Sequence, residues 1–185
     1  MPDLPRGEIL TPAQISNGFR NGTLFRKSAF RLEQLAEYDS PEDRAALRLW
    51  LAGEPQGEAA RAYWDRVITD ARHRGATMSR VHALPAAPLN DYLRFELDFY
   101  RGSATAGEDI RLLPHDQAAG ADLGPCDYWL FDDDRVVIQY YGHRGAWLHG
   151  ELVTDPVFAA ACRLRRDTAM SRAIPLNDYL TRSAA

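Results

Sequence analysis

The stretch CDYWLFDDDRVVIQYY, residues 126–141, decides the fold class. Two apolar, aromatic-rich runs at 126–131 and 136–141 flank three consecutive aspartates, and aspartate is a common turn residue. This pattern predicts a β-hairpin. A second turn at 142–145 leads into a third apolar run at 146–153. The three runs together predict an antiparallel three-strand meander.

Helix and strand signals alternate on both sides of this meander. Strands are predicted at 76–84 and 109–113, with a helix at 89–100 between them, and a further helix is predicted at 156–172. We therefore expect an α+β fold in which helices pack on a mixed sheet of about five strands.

Helix signals dominate the N-terminal part of the chain. The residues at 11–14, TPAQ, read as a capping box with proline at the first helical position. Apolar residues at 22–38 suit a second helix, Ser40 caps a third, and a fourth is predicted to begin near Gly57. We predict a helical extension at residues 1–40.

A single α+β domain is predicted at residues 41–185. The chain of 185 residues is long enough to bury its own core. Its two cysteines lie in apolar segments and are expected to be buried, reduced thiols. No run approaches the ~20 apolar residues of a membrane span, and the N-terminus lacks a signal-peptide pattern. We therefore expect a cytoplasmic protein without membrane contact.

One hexapeptide, PLNDYL, occurs twice, at 88–93 and at 175–180. Proline pre-sets the backbone for a first helical turn, and Asn or Asp can accept from its free N–H groups. Both copies are therefore predicted to begin a helix. A surface groove that both copies fit, or a relic of duplication, are the alternatives.

Common catalytic and metal-binding motifs are absent from the sequence. It contains no phosphate-binding glycine loop, HExxH or CxxC, and its five histidines are scattered. The aspartates at 132–134 could in principle ligate a divalent cation, but a solvated turn explains them more simply. No cofactor and no metal are predicted.

Charged residues in semi-apolar settings are the candidate ligand-binding residues. A carboxylate that enters a buried strand must be paired, and Arg94 or Arg111 is the expected partner. Two interpretations stay open, a structural ion-pair network and a small polar pocket. The candidate set is Tyr92, Arg94, Glu96, Glu108, Arg111, Asp127 and Trp129.

Three strings carry a resemblance to a known family, namely DYLRFEL at 91–97, AGEDIR at 106–111 and DYWLFDD at 127–133. With the segments 47–53 and 155–173, they resemble an actinobacterial family of unknown function whose genes often lie beside helix-turn-helix regulators. The resemblance runs from about Phe25 to Tyr179. It implies a helix-turn-helix regulator as partner and carries no assigned activity.

The order of predicted elements is also similar to one half of a phospholipase D-like domain. In that superfamily the hairpin strand carries His-x-Lys, in which the histidine attacks phosphorus and the lysine binds the phosphate. The corresponding positions here are Asp127 and Trp129, with Asp134 beyond them. The resemblance thus implies a phospholipase D-like half-domain without the catalytic His-x-Lys. Some regulators use such domains to sense ligands or to dimerise.

We expect a non-enzymatic module that works with a helix-turn-helix regulator through protein contact or a small polar ligand. A homodimer is a further partnership that stays open. The alternative is an enzyme that uses the cluster of Arg94, Glu96, Glu108 and Asp127 for acid–base chemistry on a small substrate.

Direct nucleic-acid binding ranks lowest. The net charge is −4, whereas sequence-independent binding depends on neutralising phosphates. The arginines of the last long helix, Arg163, Arg165 and Arg166, are more simply explained as a solvated helix face. We therefore do not expect nucleic acid as a partner.

Overall fold

The computed structural model describes residues 4–54 and 58–183. Within these residues, eight strands form one mixed sheet: β1 (Glu8–Leu10), β2 (Ser28–Glu33), β3 (Thr77–Ala83), β4 (Asp109–Leu113), β5 (Tyr128–Phe131), β6 (Arg135–Tyr141), β7 (Trp147–Val153) and β8 (Ile174–Pro175). Their order is β1-β7-β6-β5-β2-β3-β4-β8, in which β2, β3 and β4 run parallel and every other pair is antiparallel. The α+β class is confirmed. The prediction of about five strands was too low, since it missed β1, β2 and β8.

Seven helices accompany the sheet in the described part of the chain: α1 (Pro12–Arg20), α2 (Pro41–Leu51), α3 (Glu58–His73), α4 (Asp91–Ala106), α5 (His115–Ala118), α6 (Pro156–Arg172) and α7 (Leu176–Ser183). The predicted start of a helix near Gly57 lies outside the described residues. None of the described helices combines the length and apolar composition that crossing a bilayer requires.

Side-chain caps fix where several helices begin. Thr11 accepts a hydrogen bond from the N–H of Gln14, whose own side chain accepts from the N–H of Thr11, so the predicted capping box is confirmed. Ser40 and Asp155 cap α2 and α6 by accepting from the N–H groups of Asp43 and Phe158. These local bonds satisfy N–H groups that the first helical turn leaves free.

The segment 22–38 was predicted to be helical, and this prediction was wrong. Its residues Ser28–Glu33 form β2, which lies between β5 and β3 in the middle of the sheet. Phe30 and Leu32 point to one face and alternate with charged residues on the other, which is the two-residue period of a strand. The predicted extension at residues 1–40 therefore supplies two strands, β1 and β2, to the sheet that the rest of the chain completes.

Helices cover both faces of the sheet, but unequally. On one face, α6 packs against apolar side chains of the central strands, including Leu32 and Ile138. On the other face, α1, α3 and α4 pack over Met78, Trp129 and Ile110. This second face also carries the charged residues of β2 and β3, so the helices there enclose a polar interior.

The predicted meander is confirmed as β5, β6 and β7, with the three aspartates in the first turn. Asp132, at φ 52°, accepts hydrogen bonds from the backbone N–H groups of Arg26, Lys27 and Ser28. Burial acts to raise the pKa of Asp132, but these donors and Arg135 lower it overall. The turn thus anchors the start of β2. Among the described residues, no cluster of His, Cys, Asp and Glu could hold a metal ion.

Each copy of the hexapeptide begins a helix, though at a different position. In the first copy, Asn90 caps α4, which starts at Asp91. In the second copy, the proline ends β8 and the helix α7 already starts at Leu176. The prediction of two helix starts is confirmed, while the cap belongs to the first copy.

Candidate functional site

Charged side chains from β2 and β3 form the floor of the candidate site. Arg31 pairs in register with Arg80, and Glu33 pairs with His82, so all four side chains emerge from one face of the sheet. Each is buried. The four residues lie toward the carboxyl ends of β2 and β3, and because these strands are parallel, both ends meet at the same edge of the sheet. Sheets with parallel strands commonly bind ligands at this edge.

Two arginines hold three carboxylates together in this floor. Nη1 of Arg80 lies 2.8 Å from Oε2 of Glu33, and its Nε lies 3.0 Å from Oε1 of Glu108. Nε of Arg31 lies 3.3 Å from Oε1 of Glu33, and its Nη2 lies 3.9 Å from Oδ2 of Asp127. A buried ionic network of this kind is tolerated only when its members are mutually paired. We call these five residues the ionic floor.

Hydroxyl and ring groups add further hydrogen bonds to the floor. The hydroxyl of Tyr100 lies 3.0 Å from Oε2 of Glu33 and 2.9 Å from Nδ1 of His82. The hydroxyl of Tyr38 donates to Oδ2 of Asp127 at 2.5 Å. These bonds fix the orientation of the carboxylates before anything binds above them.

A cavity of about 230 Å³ opens above the ionic floor. Residues from α1, α3, α4 and five strands line it, together with the segment that leads into α2. Its wall is rich in aromatic residues, which include Phe19, Tyr63, Trp64, Tyr92, Trp129 and Trp147. The site therefore combines an apolar wall with a polar base, which is the usual composition of a small-molecule pocket.

Two carboxyl groups in this cavity have pKa values that are shifted in opposite directions. Burial alone would raise the pKa of Glu33, but the guanidinium groups of Arg80 and Arg31 bring it down to about 2. Burial, reinforced by the charge of Glu33, raises the pKa of Glu96 to about 8. Near neutral pH, Glu33 is therefore a carboxylate, whereas Glu96 holds a proton on the cavity wall.

Two cavity-lining donors have no hydrogen-bond partner among the described residues, Nη1 of Arg31 and Nε1 of Trp147. The rest of the Arg31 guanidinium is held in place, since Nη2 donates to the hydroxyl of Tyr141 at 2.5 Å and Nε pairs with Glu33. Burial alone would lower the pKa of Arg31, but Tyr141, Glu33 and Asp127 raise it overall. Its free N–H groups thus form an oriented, positively charged donor.

The structure separates the predicted site residues into three groups. Tyr92, Glu96 and Trp129 line the cavity. Glu108 and Asp127 belong to the ionic floor beneath it. The remaining two, Arg94 and Arg111, lie away from the cavity.

Arg94 and Arg111 form local ion pairs instead. Arg94 is exposed and pairs with Asp91 on the surface of α4. Arg111 pairs with Asp109 on the same strand at 3.0 Å. The expectation that one of them neutralises the buried carboxylates was wrong, because Arg31 and Arg80 do so.

Sequence reasoning missed most of the floor, including Arg31, Glu33 and Arg80. The available signal was the pair of strings RLE at 31–33 and RVH at 80–82, in which charged or titratable residues alternate with apolar ones inside strand-like runs. The first string was missed because the segment around it was assigned to a helix.

The arginines proposed for nucleic-acid binding are engaged within the protein. Arg166 pairs with Asp133 and with Asp167, and Nη1 of Arg163 donates to the backbone carbonyl of Asp133 at 2.5 Å. Arg165 lies 3.5 Å from Asp122. These contacts attach α6 to neighbouring turns, which gives the three arginines a structural role.

The fold is similar to that of a solved phospholipase D family member, Nuc from Salmonella typhimurium. The TM-score is 0.53 at 8% sequence identity, and the match covers 91% of this chain and 95% of that chain. A likeness at this identity concerns the fold alone. At the hairpin, this chain carries Asp127 and Trp129, which belong to the ionic floor and to the cavity wall.

No curated protein matches the sequence at a significant level. A family model does match, and it covers residues 17–181, which include every strand except β1 and the whole of the ionic floor. The chain therefore belongs to the family described as a domain of unknown function, DUF6879.

Proposed function

We propose that this protein is a small-molecule-binding module whose ligand occupies the cavity above the ionic floor. The observation that carries the proposal is the unpaired Nη1 of Arg31, which is buried at the base of a cavity of about 230 Å³. A charged donor that is held in place beside a cavity and has no acceptor within the protein favours a ligand that supplies the acceptor.

The organisation of the floor supports binding in a preformed site. Arg31 and the carboxylates around it are held by several partners each, so a ligand would meet groups that are already oriented. Pre-organisation of this kind lowers the entropic cost of binding.

Blocking the cavity tests the proposal. Ser16 lines the cavity from α1, and Ser16→Phe would fill part of it without touching the ionic floor. We would titrate ¹⁵N-labelled protein with a set of one- and two-ring aromatic amides, carboxylates and amines. We expect chemical-shift changes at cavity-lining residues in the wild type and their loss in the variant.

Ala13→Phe is the matched control, because Ala13 is exposed on the same helix and does not line the cavity. This variant should bind as the wild type does. If no compound shifts the cavity residues, or if Ser16→Phe binds as well as the wild type, the proposal is wrong.

An enzyme is the second candidate, and the divergent pKa values of Glu33 and Glu96 favour it. A carboxyl group whose pKa is near 8 can serve as a general acid near neutral pH, and such pairs are common in active sites. Of the four residues proposed for this chemistry, Glu96 alone lines the cavity.

Substitution of Glu96 distinguishes catalysis from binding. Compounds that bind in the titration would be incubated with the wild type and with Glu96→Gln, and products would be followed by mass spectrometry. Turnover by the wild type that Glu96→Gln abolishes without loss of binding would establish the enzyme. Unchanged compounds in both samples would rule out the enzyme for that set.

We propose a helix-turn-helix regulator as the macromolecular partner, supported by the resemblance of the strings at 91–97, 106–111 and 127–133. Co-purification of the two proteins, followed by DNA titration of the regulator with and without this chain, tests the partnership. Absence of a complex at micromolar concentration, together with unchanged DNA binding, would contradict it.

A further inference from the structure

We infer that the cavity takes an uncharged, planar aromatic compound whose carbonyl oxygen accepts hydrogen bonds from Arg31 and Trp147. This inference rests on the proposed binding function and names the chemical class of the ligand. It draws on the unpaired donors, on the excess of carboxyl over guanidinium groups at the base of the cavity, and on the composition of the cavity wall.

The unpaired polar groups of the cavity call for an acceptor. Nη1 of Arg31 and Nε1 of Trp147 are both N–H donors that are buried and lack partners among the described residues. An indole N–H can only donate, and so can a guanidinium N–H. A carbonyl oxygen has two lone pairs and can therefore accept from two such donors.

The charges at the base of the cavity disfavour an anionic ligand. Two guanidinium groups, those of Arg31 and Arg80, face the carboxyl groups of Glu33, Glu108 and Asp127. An anion would add a negative charge to an excess of carboxyl groups in a weakly solvated setting. A cation would place further donors beside two unpaired donors. A neutral acceptor avoids both costs.

The wall of the cavity favours a flat aromatic ligand of modest size. Trp129 packs against Phe19 and Trp64, with ring centroids 4.8 Å and 5.9 Å away, and this aromatic group offers an apolar surface beside the polar base. Because one water occupies about 30 Å³ of liquid, a cavity of about 230 Å³ suits a compound of one or two rings.

Three probes of nearly equal size and shape test the charge requirement. Benzamide is neutral and has a carbonyl oxygen, benzoate is an anion, and benzamidine is a planar cation with donors only. Each would be titrated against the full chain at neutral pH by ligand-observed NMR, with chemical shifts of the labelled protein as a second readout. We expect benzamide to bind most tightly of the three, at the cavity residues.

Trp147→Phe removes one donor and keeps an aromatic ring. We expect it to weaken benzamide about three- to tenfold, which is the usual effect of one hydrogen bond. Trp50→Phe is the matched control, since Trp50 lies on α2, packs against Phe95 and does not line the cavity. It should leave benzamide binding unchanged.

The outcomes separate the ligand class from the binding function. Tightest binding by benzoate or by benzamidine at the cavity would overturn the ligand class and leave the binding function standing. Equal benzamide affinity in Trp147→Phe and the wild type would overturn the role of Trp147 and hence the inferred acceptor contact. No binding by any probe at millimolar concentration would overturn this inference, whereas the binding function would still be decided by the wider set and Ser16→Phe.

Discussion

At the scale of single residues, Arg80 is the centre of the ionic floor. Its guanidinium contacts Glu33 at 2.8 Å and Glu108 at 3.0 Å, and all three side chains are buried. The indole Nε1 of Trp64 donates to the second oxygen of Glu108 at 3.2 Å. Loss of the guanidinium would therefore leave two buried carboxylates with too few partners.

We predict that Arg80→Met destabilises the protein by about 3–5 kcal/mol, because one partner of a buried ionic network is removed while the others stay. The exposed pair of Arg94 and Asp91 gives the control, and Arg94→Met should cost less than about 1 kcal/mol. Urea unfolding followed by circular dichroism measures both. A cost for Arg80→Met as small as that of the control would contradict the role assigned to the floor.

Glu96 gives a prediction about pH. Its pKa of about 8 in the folded protein exceeds the ordinary value of 4.5. Between these two values the folded state holds a proton that the unfolded state has released, so wild-type stability falls as pH rises from 4.5 to 8. Glu96→Gln carries no such proton and avoids this loss.

The stability of Glu96→Gln relative to the wild type should therefore increase with pH over this range, by at most ~1.4 kcal/mol per pH unit, and level off above it. Glu96 is partly exposed to the cavity, so water there makes the observed slope smaller. Unfolding free energies of both proteins at several pH values give the slope. Parallel pH profiles would show that Glu96 titrates alike in the folded and unfolded chains.

At the scale of elements, the hexapeptide provides an internal comparison. In the first copy, Oδ1 of Asn90 accepts from the N–H of Leu93 at 2.8 Å, and its Nδ2 donates to the carbonyl of Ala36 at 3.0 Å. In the second copy, Asn177 is an exposed residue inside α7. One amide therefore joins a helix start to the loop after β2, while the other faces solvent.

We predict that Asn90→Ala costs about 1 kcal/mol or somewhat more, as is usual for loss of an N-cap. Asn177→Ala, the same change in the same sequence, should stay within about 0.5 kcal/mol of the wild type. Thermal unfolding of the two variants under one buffer condition provides the comparison. Equal costs would mean that the cap contributes nothing specific to the first copy.

Elements with strong local signals could be predicted from the sequence. The caps at Thr11, Ser40 and Asp155 and the aspartate turn of the meander act within a few residues, so each could be identified locally. Strand β2 could not, because its identity depends on pairing with β3 and β5, which are distant in sequence. The two short edge strands, β1 and β8, offer too few residues for a period to be visible.

At the scale of the whole molecule, the same limit explains what was predicted of the site. Tyr92, Glu96, Glu108, Asp127 and Trp129 were found because they adjoin recognisable elements. Their arginine partners come from β2 and β3, and parallel strands are brought together only by tertiary structure. A polar site built across parallel strands can thus be predicted only in part from the sequence.

The central place of β2 predicts how truncation affects folding. A fragment of residues 41–185 would lack the strand between β5 and β3 and should fail to fold, whereas residues 11–185 lack only the edge strand β1 and should fold with reduced stability. Dispersion of amide signals in ¹⁵N NMR spectra distinguishes the two outcomes. A well-dispersed spectrum from residues 41–185 would show that β2 is dispensable.

The alternation along β2 has a consequence for the fidelity of folding. Leu32 belongs to the apolar layer beneath α6, while Arg31 and Glu33 belong to the ionic floor. A slip of β2 by one residue would exchange these faces, burying two charges in the apolar layer and leaving Arg80 opposite a leucine or phenylalanine. A slip by one residue is thus penalised on both sides of the sheet at once, so the side chains of β2 select against that misalignment of the central strands.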